Sequence, residues 1–433
     1  MSDTDLRELE RQTQRTPDDA GAWLALARAQ ARVGARDEAL AGFYLAAALG
    51  GDLVETRAGL RALGAAASPW SHPDGDAGRS RCSPLRGPRR GEIVARAPLR
   101  DGASLIVLAE DGTITVAQPG GPLARFEGRT LSPLPTVELG PSRESWWPRA
   151  HAFPAAVAGG LVAVHDSHLH FLSRERIVSL ELGEPARHLY DPIAVGDRVA
   201  ILTEDRNRVD PRVSVRTLPN LEESGSFRIG SSWHVLAADS EVITVGEEGR
   251  TGERFVRLYD WTGSERGVAS FDGLLTDLRL TGERLIGVAA RAVEDPVQGV
   301  YGWEVSASDR RPAPLWKVRV ETRGREPEVA TTIDGGCRVL LSGERLRIAA
   351  DGHVVWRAEG PPSIEPICDR EGVLYCVEEG DPSLLRAFDP DGRELFHLSH
   401  AVHAFRPCAI DAWSRLIAVF THDSLQGEIV AIA

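Results

Sequence analysis

From Glu92 to Ala433 one pattern recurs: a strand-length run of Val, Ile, Leu and aromatic residues, then a turn of Gly, Asp or Pro. Examples are SLIVLAE (104–110), TITVAQ (113–118), LVAVHD (161–166), RVAILTE (198–204), RVSVRTL (212–218), RLIGVAA (284–290), HVVWRAE (353–359) and RLIAVF (415–420). Each run has strand length, and no helical periodicity interrupts the series. So many short antiparallel strands must hide their unpaired edges. Radial repetition of four-stranded units does this, because it leaves only short, protected edges. The first strands of successive groups are expected near residues 92, 151, 188, 233, 276, 329, 363 and 404, about 43 residues apart. Stretches 128–150 and 291–299 read as loop insertions. The spacing predicts eight groups, with seven as the alternative. The last group, 404–433, lacks a fourth strand, so closure needs a strand from the linker, or the count is seven.

Two turns carry a resemblance. Ala349-Ala350-Asp351-Gly352-His353-Val354-Val355-Trp356 and Ala387-Phe388-Asp389-Pro390-Asp391-Gly392-Arg393-Glu394-Leu395-Phe396 pair a small residue and Asp with a Gly turn and a closing aromatic. Leu258-Tyr259-Asp260-Trp261-Thr262-Gly263 is a weaker copy, and Glu110-Asp111-Gly112 marks a further turn. The pattern resembles the repeat of pyrroloquinoline-quinone (PQQ)-like β-propellers. WD40 propellers are a near alternative, but their paired Gly-His and Trp-Asp marks do not recur. The fold expected is mainly β: a β-propeller of eight blades, seven possible, over residues 92–433, behind a small all-α N-terminal domain. The PQQ resemblance implies architecture and not enzyme activity. Those enzymes need a quinone sandwiched by an indole and a calcium held by carboxylates. Trp146-Trp147 is the only tandem indole, and no calcium constellation can be assigned, so no cofactor is expected.

Residues 1–64 read as four helices. Thr4-Asp5 is expected to start the first, and Thr16-Pro17 to cap the second. Gly34 and Gly50 are expected to end the second and third, and the fourth runs from near Asp52 to Gly64. Trp23, Leu26, Ala27, Gly34, Ala39 and Phe43 match one tetratricopeptide repeat (TPR), so residues 1–64 resemble a TPR-like domain. Close helix packing requires the pattern: Trp23 and Leu26 fill the seam, and Ala27 and Ala39 let two helices approach. Leu24, Arg28 and Arg32 then fall on the inner face of the repeat's first helix. The resemblance implies that this face binds peptides, and Arg28 and Arg32 are an i,i+4 pair able to take a carboxylate.

Residues 65–91, rich in Gly, Pro, Ser and Arg, read as a linker. Arg79, Arg81, Arg86, Arg89 and Arg90 make it basic. It is expected to lie solvated on an acidic domain of the same chain, a clamp on an acidic partner being the alternative.

Fifty basic and 63 acidic residues give a formal charge of −13, which argues against nucleic-acid binding. Lys317 is the only lysine, as in a GC-rich, bacterial genome. The start MSDTDLRELERQ has no apolar h-region, and no run is long enough for a membrane span, so a cytoplasmic location is expected. Five cysteines (82, 337, 368, 376, 408) form no CxxC pair and read as buried apolar fillers. His165, His168 and His170 cluster on one hairpin, and His397, His400 and His403 on another segment. The first reads as a polar strand surface, with metal binding as the alternative; the second reads as a pH-sensitive loop at a blade boundary, with a metal or acid–base role as the alternative, and no metal site is assigned. Nucleophile and phosphate-binding motifs are absent, so no catalytic residues are assigned. The function expected is a non-enzymatic protein-interaction scaffold or adaptor of a bacterial multi-protein assembly. Its contacts are expected at Leu24, Arg28, Arg32, Trp146 and Trp147. A propeller hydrolase or lyase with a central-channel site, or a small-ligand sensor, is the alternative.

Overall fold

The computed structural model describes residues 3–72, 75–76, 79–100, 105–118, 121–140, 152–165, 168–182, 188–189, 192–204, 211–229, 236–248, 254–271, 274–281, 284–290, 297–304, 313–321, 327–380, 383–399, 404–421 and 426–433. Four helices come first: α1 (Asp3–Arg15), α2 (Ala20–Arg32), α3 (Arg36–Ala48) and α4 (Leu53–Ala62). The cap of α2 is not Thr16 but Asp19, whose carboxylate accepts from the Gly21 and Ala22 amides at 2.9 and 3.2 Å. A carboxylate at this end also meets the positive end of the helix dipole. Asp52 caps α4 in the same way. Gly34 and Gly50 follow α2 and α3 at φ +82° and +81°, as their positions predict. Small residues set the helix spacing. A Cβ on Gly42 would lie 2.9 Å from that of Ala27, and one on Gly59 would fall inside the Phe43 ring.

Eight antiparallel blades follow, each built from an innermost strand outward. The innermost strands are Leu105–Leu108, Phe153–Val157, Ile193–Val195 (with the short His188–Leu189 beside it), Leu236–Ala238, Leu274–Thr281, Glu328–Thr331, Ser363–Cys368 and Ala404–Ile410. Each touches the innermost strand of the next blade, and the eighth touches the first, so the ring is closed. Blade count and closure therefore favour eight over seven. The groups expected from residue 151 onward begin within a few residues of these strands. The group expected at 92 does not. Ile93–Arg100 is the outermost strand of blade 8, antiparallel to Gln426–Ile432, and it supplies the missing fourth strand. Both expected insertions contain strand: Pro133–Val137 is the outermost of blade 1, and Val297–Glu304 is the third of blade 5.

The Gly turns have a packing role. An aromatic on the outermost strand of one blade lies against the turn glycine of the next: Phe227 on Gly263, Trp316 on Gly352, Trp356 on Gly392. A Cβ on Gly352 would sit 2.3 Å from the Trp316 side chain, and the glycine's φ of +87° already disfavours other residues. The indoles also donate across the seam, Trp316 Nε1 to the Ala350 carbonyl (2.9 Å) and Trp356 Nε1 to that of Pro390 (2.8 Å). Arginines repeat a second link. Arg198 donates to the Ser240 carbonyl of the next blade (2.8 Å), Arg338 to that of Gly372 (2.6 Å), and Arg415 to that of Arg129 (2.6 Å).

Trp356→Ala removes both the half-buried ring and its hydrogen bond. It is expected to destabilise the fold by about 2–4 kcal/mol. Trp356→Phe keeps most of the packing and should cost about 1 kcal/mol. Urea denaturation followed by circular dichroism measures both.

Candidate protein-interaction surface

The helical head sits on the face of the ring where each innermost strand turns into the second. Arg57 of α4 pairs with Glu110 after the first strand of blade 1, its Nε donating at 2.7 Å. The same carboxylate accepts from the Gly159 amide of blade 2 at 2.9 Å, so one side chain ties the head to two blades. Asp18 pairs with Arg129 at 2.7 Å. Beneath these contacts one apolar cluster joins Leu40, Phe43, Tyr44 and Leu60 of the head to residues of blades 1, 7 and 8.

Within that head the sequence-predicted residues divide. Leu24 is only 7% exposed and packs in the shared cluster, so it is not on the open face. The helical wheel places it off the Trp23/Leu26/Ala27 seam, but α2 is flanked by both α1 and α3, so more than one of its faces is covered. Arg28 and Arg32 are exposed. Arg28 forms an ion pair with Glu55 of α4, and Arg32 lies in the last turn of α2. Trp23 is half-buried, with its Nε1 donating to the Pro17 carbonyl at 2.8 Å. From Ala20 to Arg36 no acidic residue occurs. Trp146 and Trp147 lie outside the described residues, as do His400 and His403.

The segment expected as a solvated linker is instead a strap laid on the free edges of the innermost strands. The Leu108 amide donates to the Trp70 carbonyl (2.9 Å) and the Ala156 amide to that of Ser71 (2.6 Å). Thr331 donates to the Ser80 carbonyl (2.9 Å) and Cys368 to that of Arg81 (2.8 Å). The Ala194 amide donates to His72 Nε2 at 2.9 Å. That nitrogen is therefore unprotonated, and His72 Nδ1 carries the hydrogen donated to Ser71 Oγ. The strap thus reaches blades 1, 2, 3, 6 and 7, and Ser68, Trp70, Ser71, His72, Ser80, Ser83 and Leu85 are buried. Its charge is met within the chain, as the acidic-domain reading anticipates: Arg81 pairs with Glu328 (2.8 Å), and Arg89 with Asp369 (2.7 Å) and Glu371 (2.6 Å). At this end the channel is lined by the chain's own backbone.

The histidine hairpin forms no metal geometry: among the described residues no group of three or more His, Cys, Asp or Glu is arranged to hold an ion. Nor is it simply polar surface. His165 and His170 are buried, the latter's Nδ1 meeting Ser179 Oγ at 2.9 Å while its Nε2 is buried with no hydrogen-bond partner. Burial, with the neighbouring His165 and His168, pulls the His170 imidazole down to about 4. His397 is exposed and meets Glu394 at 2.7 Å. No helix among the described residues is long and apolar enough to cross a membrane.

The folded state holds His170 neutral, whereas the unfolded chain takes up a proton below about 6.5. Stability is therefore fully present above that pH and falls as pH drops toward 4. His170→Gln is expected to flatten this decline, which in the wild type amounts to about 2–3 kcal/mol. Melting curves between pH 7 and 4 measure it, and an equally steep decline in the variant contradicts the assignment.

No protein-family model and no curated protein matches this sequence. Solved structures do. Sqt1 of Saccharomyces cerevisiae superposes with a TM-score of 0.57 at 11% identity, covering 79% of this chain and 99% of that one. The computationally designed protein Ika8 gives 0.58 at 12%, covering 79% and 100%. A europium-containing methanol dehydrogenase gives 0.56 at 10%, covering 86% and 99%. At such identities these likenesses show the fold alone: the chain is an eight-bladed β-propeller with four N-terminal helices, similar in architecture to Sqt1 and to the methanol dehydrogenase.

Proposed function

We propose that the chain is a non-enzymatic interaction scaffold, with the TPR-like head as its docking face and the propeller as a rigid base. The observation that carries this reading is the exposed basic face of α2. Arg32, and Arg28 with its Glu55 partner on α4, point outward from a helix that itself has no acidic residues, in a chain whose formal charge is −13. Partners that present carboxylates are drawn to this face and not to the acidic remainder. The Arg57–Glu110–Gly159 tie and the shared apolar cluster hold the face in fixed relation to the ring. A fixed face binds at lower entropic cost than a tethered one. The Trp146-Trp147 pair is proposed as a second anchor, since adjacent indoles supply large contact area. The partner is a protein of a bacterial, cytoplasmic multi-protein assembly, with no nucleic acid or membrane involved.

Affinity purification of the full chain from its native host, at native expression and several salt concentrations, tests the reading. Recovery of the protein alone throughout would count against a scaffold. Arg28→Glu combined with Arg32→Glu is expected to weaken capture at least about tenfold, with circular dichroism unchanged. Undiminished capture would move the interface to the propeller.

A further inference from the structure

We propose that Cys82 and Cys368 form a redox site, in which a hydroperoxide joins their sulfurs in a disulfide that fastens the strap covalently to the innermost strand of blade 7. Two independent features carry this. The first is register. Cys82 and Cys368 face each other across a parallel β-bridge. The bonds from Cys368 N to the Arg81 carbonyl and from Ser83 N to the Cys368 carbonyl, both 2.8 Å, fix that pairing. Neighbouring strands lie about 4.8 Å apart, within the roughly 4.4–6.8 Å between Cα atoms that a disulfide spans. Both side chains enter one apolar cluster, together with Cys376.

The second feature is Arg338. It is 0% exposed and stacked over the Trp356 ring at 5.1 Å, and among the described residues the Asp334 carboxylate acts on it without ion-pair contact. Its Nη atoms donate to the carbonyls of Gly372 (2.6 Å) and Pro390 (3.4 Å), and its Nε is buried with no partner. The guanidinium acts on the Cys368 thiol, favouring its ionised form against the larger, opposing effect of burial. A buried guanidinium favours ionisation of a thiol beside it, so Arg338 eases loss of the Cys368 proton during attack.

The chemistry closes with one oxidant. Cys82 retains 9% exposure while Cys368, Cys376 and Cys337 have none, so hydrogen peroxide reaches Cys82 first. Its sulfur attacks one peroxide oxygen and the O–O bond breaks. The departing hydroxide takes the thiol proton as water, leaving a sulfenic acid. The Cys368 thiol, whose ionisation Arg338 favours, then attacks that sulfur. The S–O bond breaks and hydroxide leaves with the Cys368 proton as a second water. Two thiols and one peroxide thus give one disulfide and two waters, and the sulfurs surrender two electrons. Burial pushes the Cys368 thiol up to about 12 and raises that of Cys82 as well. The reaction is therefore slow, suited to lasting fastening and not to rapid sensing.

The test is hydrogen peroxide treatment of the full chain, alkylation of remaining thiols under denaturing conditions, and peptide mapping by mass spectrometry without reductant. The expected result is a Cys82–Cys368 linked peptide that dithiothreitol dissolves, formed also in Cys376→Ser and absent in Cys82→Ser. Arg338→Met, with its melting temperature recorded alongside, is expected to slow formation severalfold relative to wild type. Linkage of Cys82 to Cys376 or Cys337, overoxidation of Cys82 without any link, or all five thiols remaining alkylatable would each overturn the proposal.

Discussion

The innermost strands of a propeller face a difficulty that the outer strands do not. Each has one paired edge, and the other faces the central channel, where no further strand follows. Backbone groups left there without partners carry a desolvation cost. This chain answers with its own residues 68–85, which accept amide hydrogens from Leu108, Ala156, Thr331 and Cys368 and one through His72 from Ala194. The remaining architecture follows from that contact. The strap begins where the head ends, so placing it fixes the head over blade 1. It leaves beside blade 7, so the next strand is delivered to the outside of blade 8. Head, channel and closure are set by one continuous run of backbone.

The ring itself is held by a different device, applied blade by blade. A side chain from one blade, aromatic or guanidinium, reaches the turn carbonyls of the next, and glycine keeps the turn low enough to be covered. Dispersion supplies the area and the hydrogen bond supplies the register, so blades cannot slide past one another without losing both. Arg415 shows the limit of the scheme. It is buried with Asp411, whose carboxyl is pushed up by burial against the pull of the guanidinium. Such a pair specifies geometry more than it adds stability.

Much of this was legible in the residues. Strand runs alternate with turns because each blade buries its faces between neighbours, and that burial writes apolar residues at regular spacing. Gly352 and Gly392 stood out for the same reason that they matter, since Trp316 and Trp356 lie against them. What was hidden depends on contacts distant in sequence. Ile93–Arg100 looks like the start of a first blade, because its partner strand lies at the other end of the chain. The strap looks like a solvated linker, because it is held largely through backbone hydrogen bonds, which leave no mark on composition. Only Trp70, Cys82 and Leu85 hint at burial. Leu24 was misplaced because the repeat pattern marks one seam of α2, whereas α2 is packed between α1 and α3. The exposure of Arg28 and Arg32 was readable from local spacing; their pairing with Glu55 was not.

The position of the closing strand has a consequence for synthesis. Ile93–Arg100 leaves the ribosome long before the strand it pairs with, Gln426–Ile432. Throughout elongation it is an unpaired edge, open to the wrong neighbour, whether another nascent chain or a sister strand of the same ring. Its sequence, IVARAPLR, carries Arg96, Pro98 and Arg100. Charge repels a second copy, and proline withholds an amide from any ladder. The same residues that make this a weak strand in isolation let it wait for its partner.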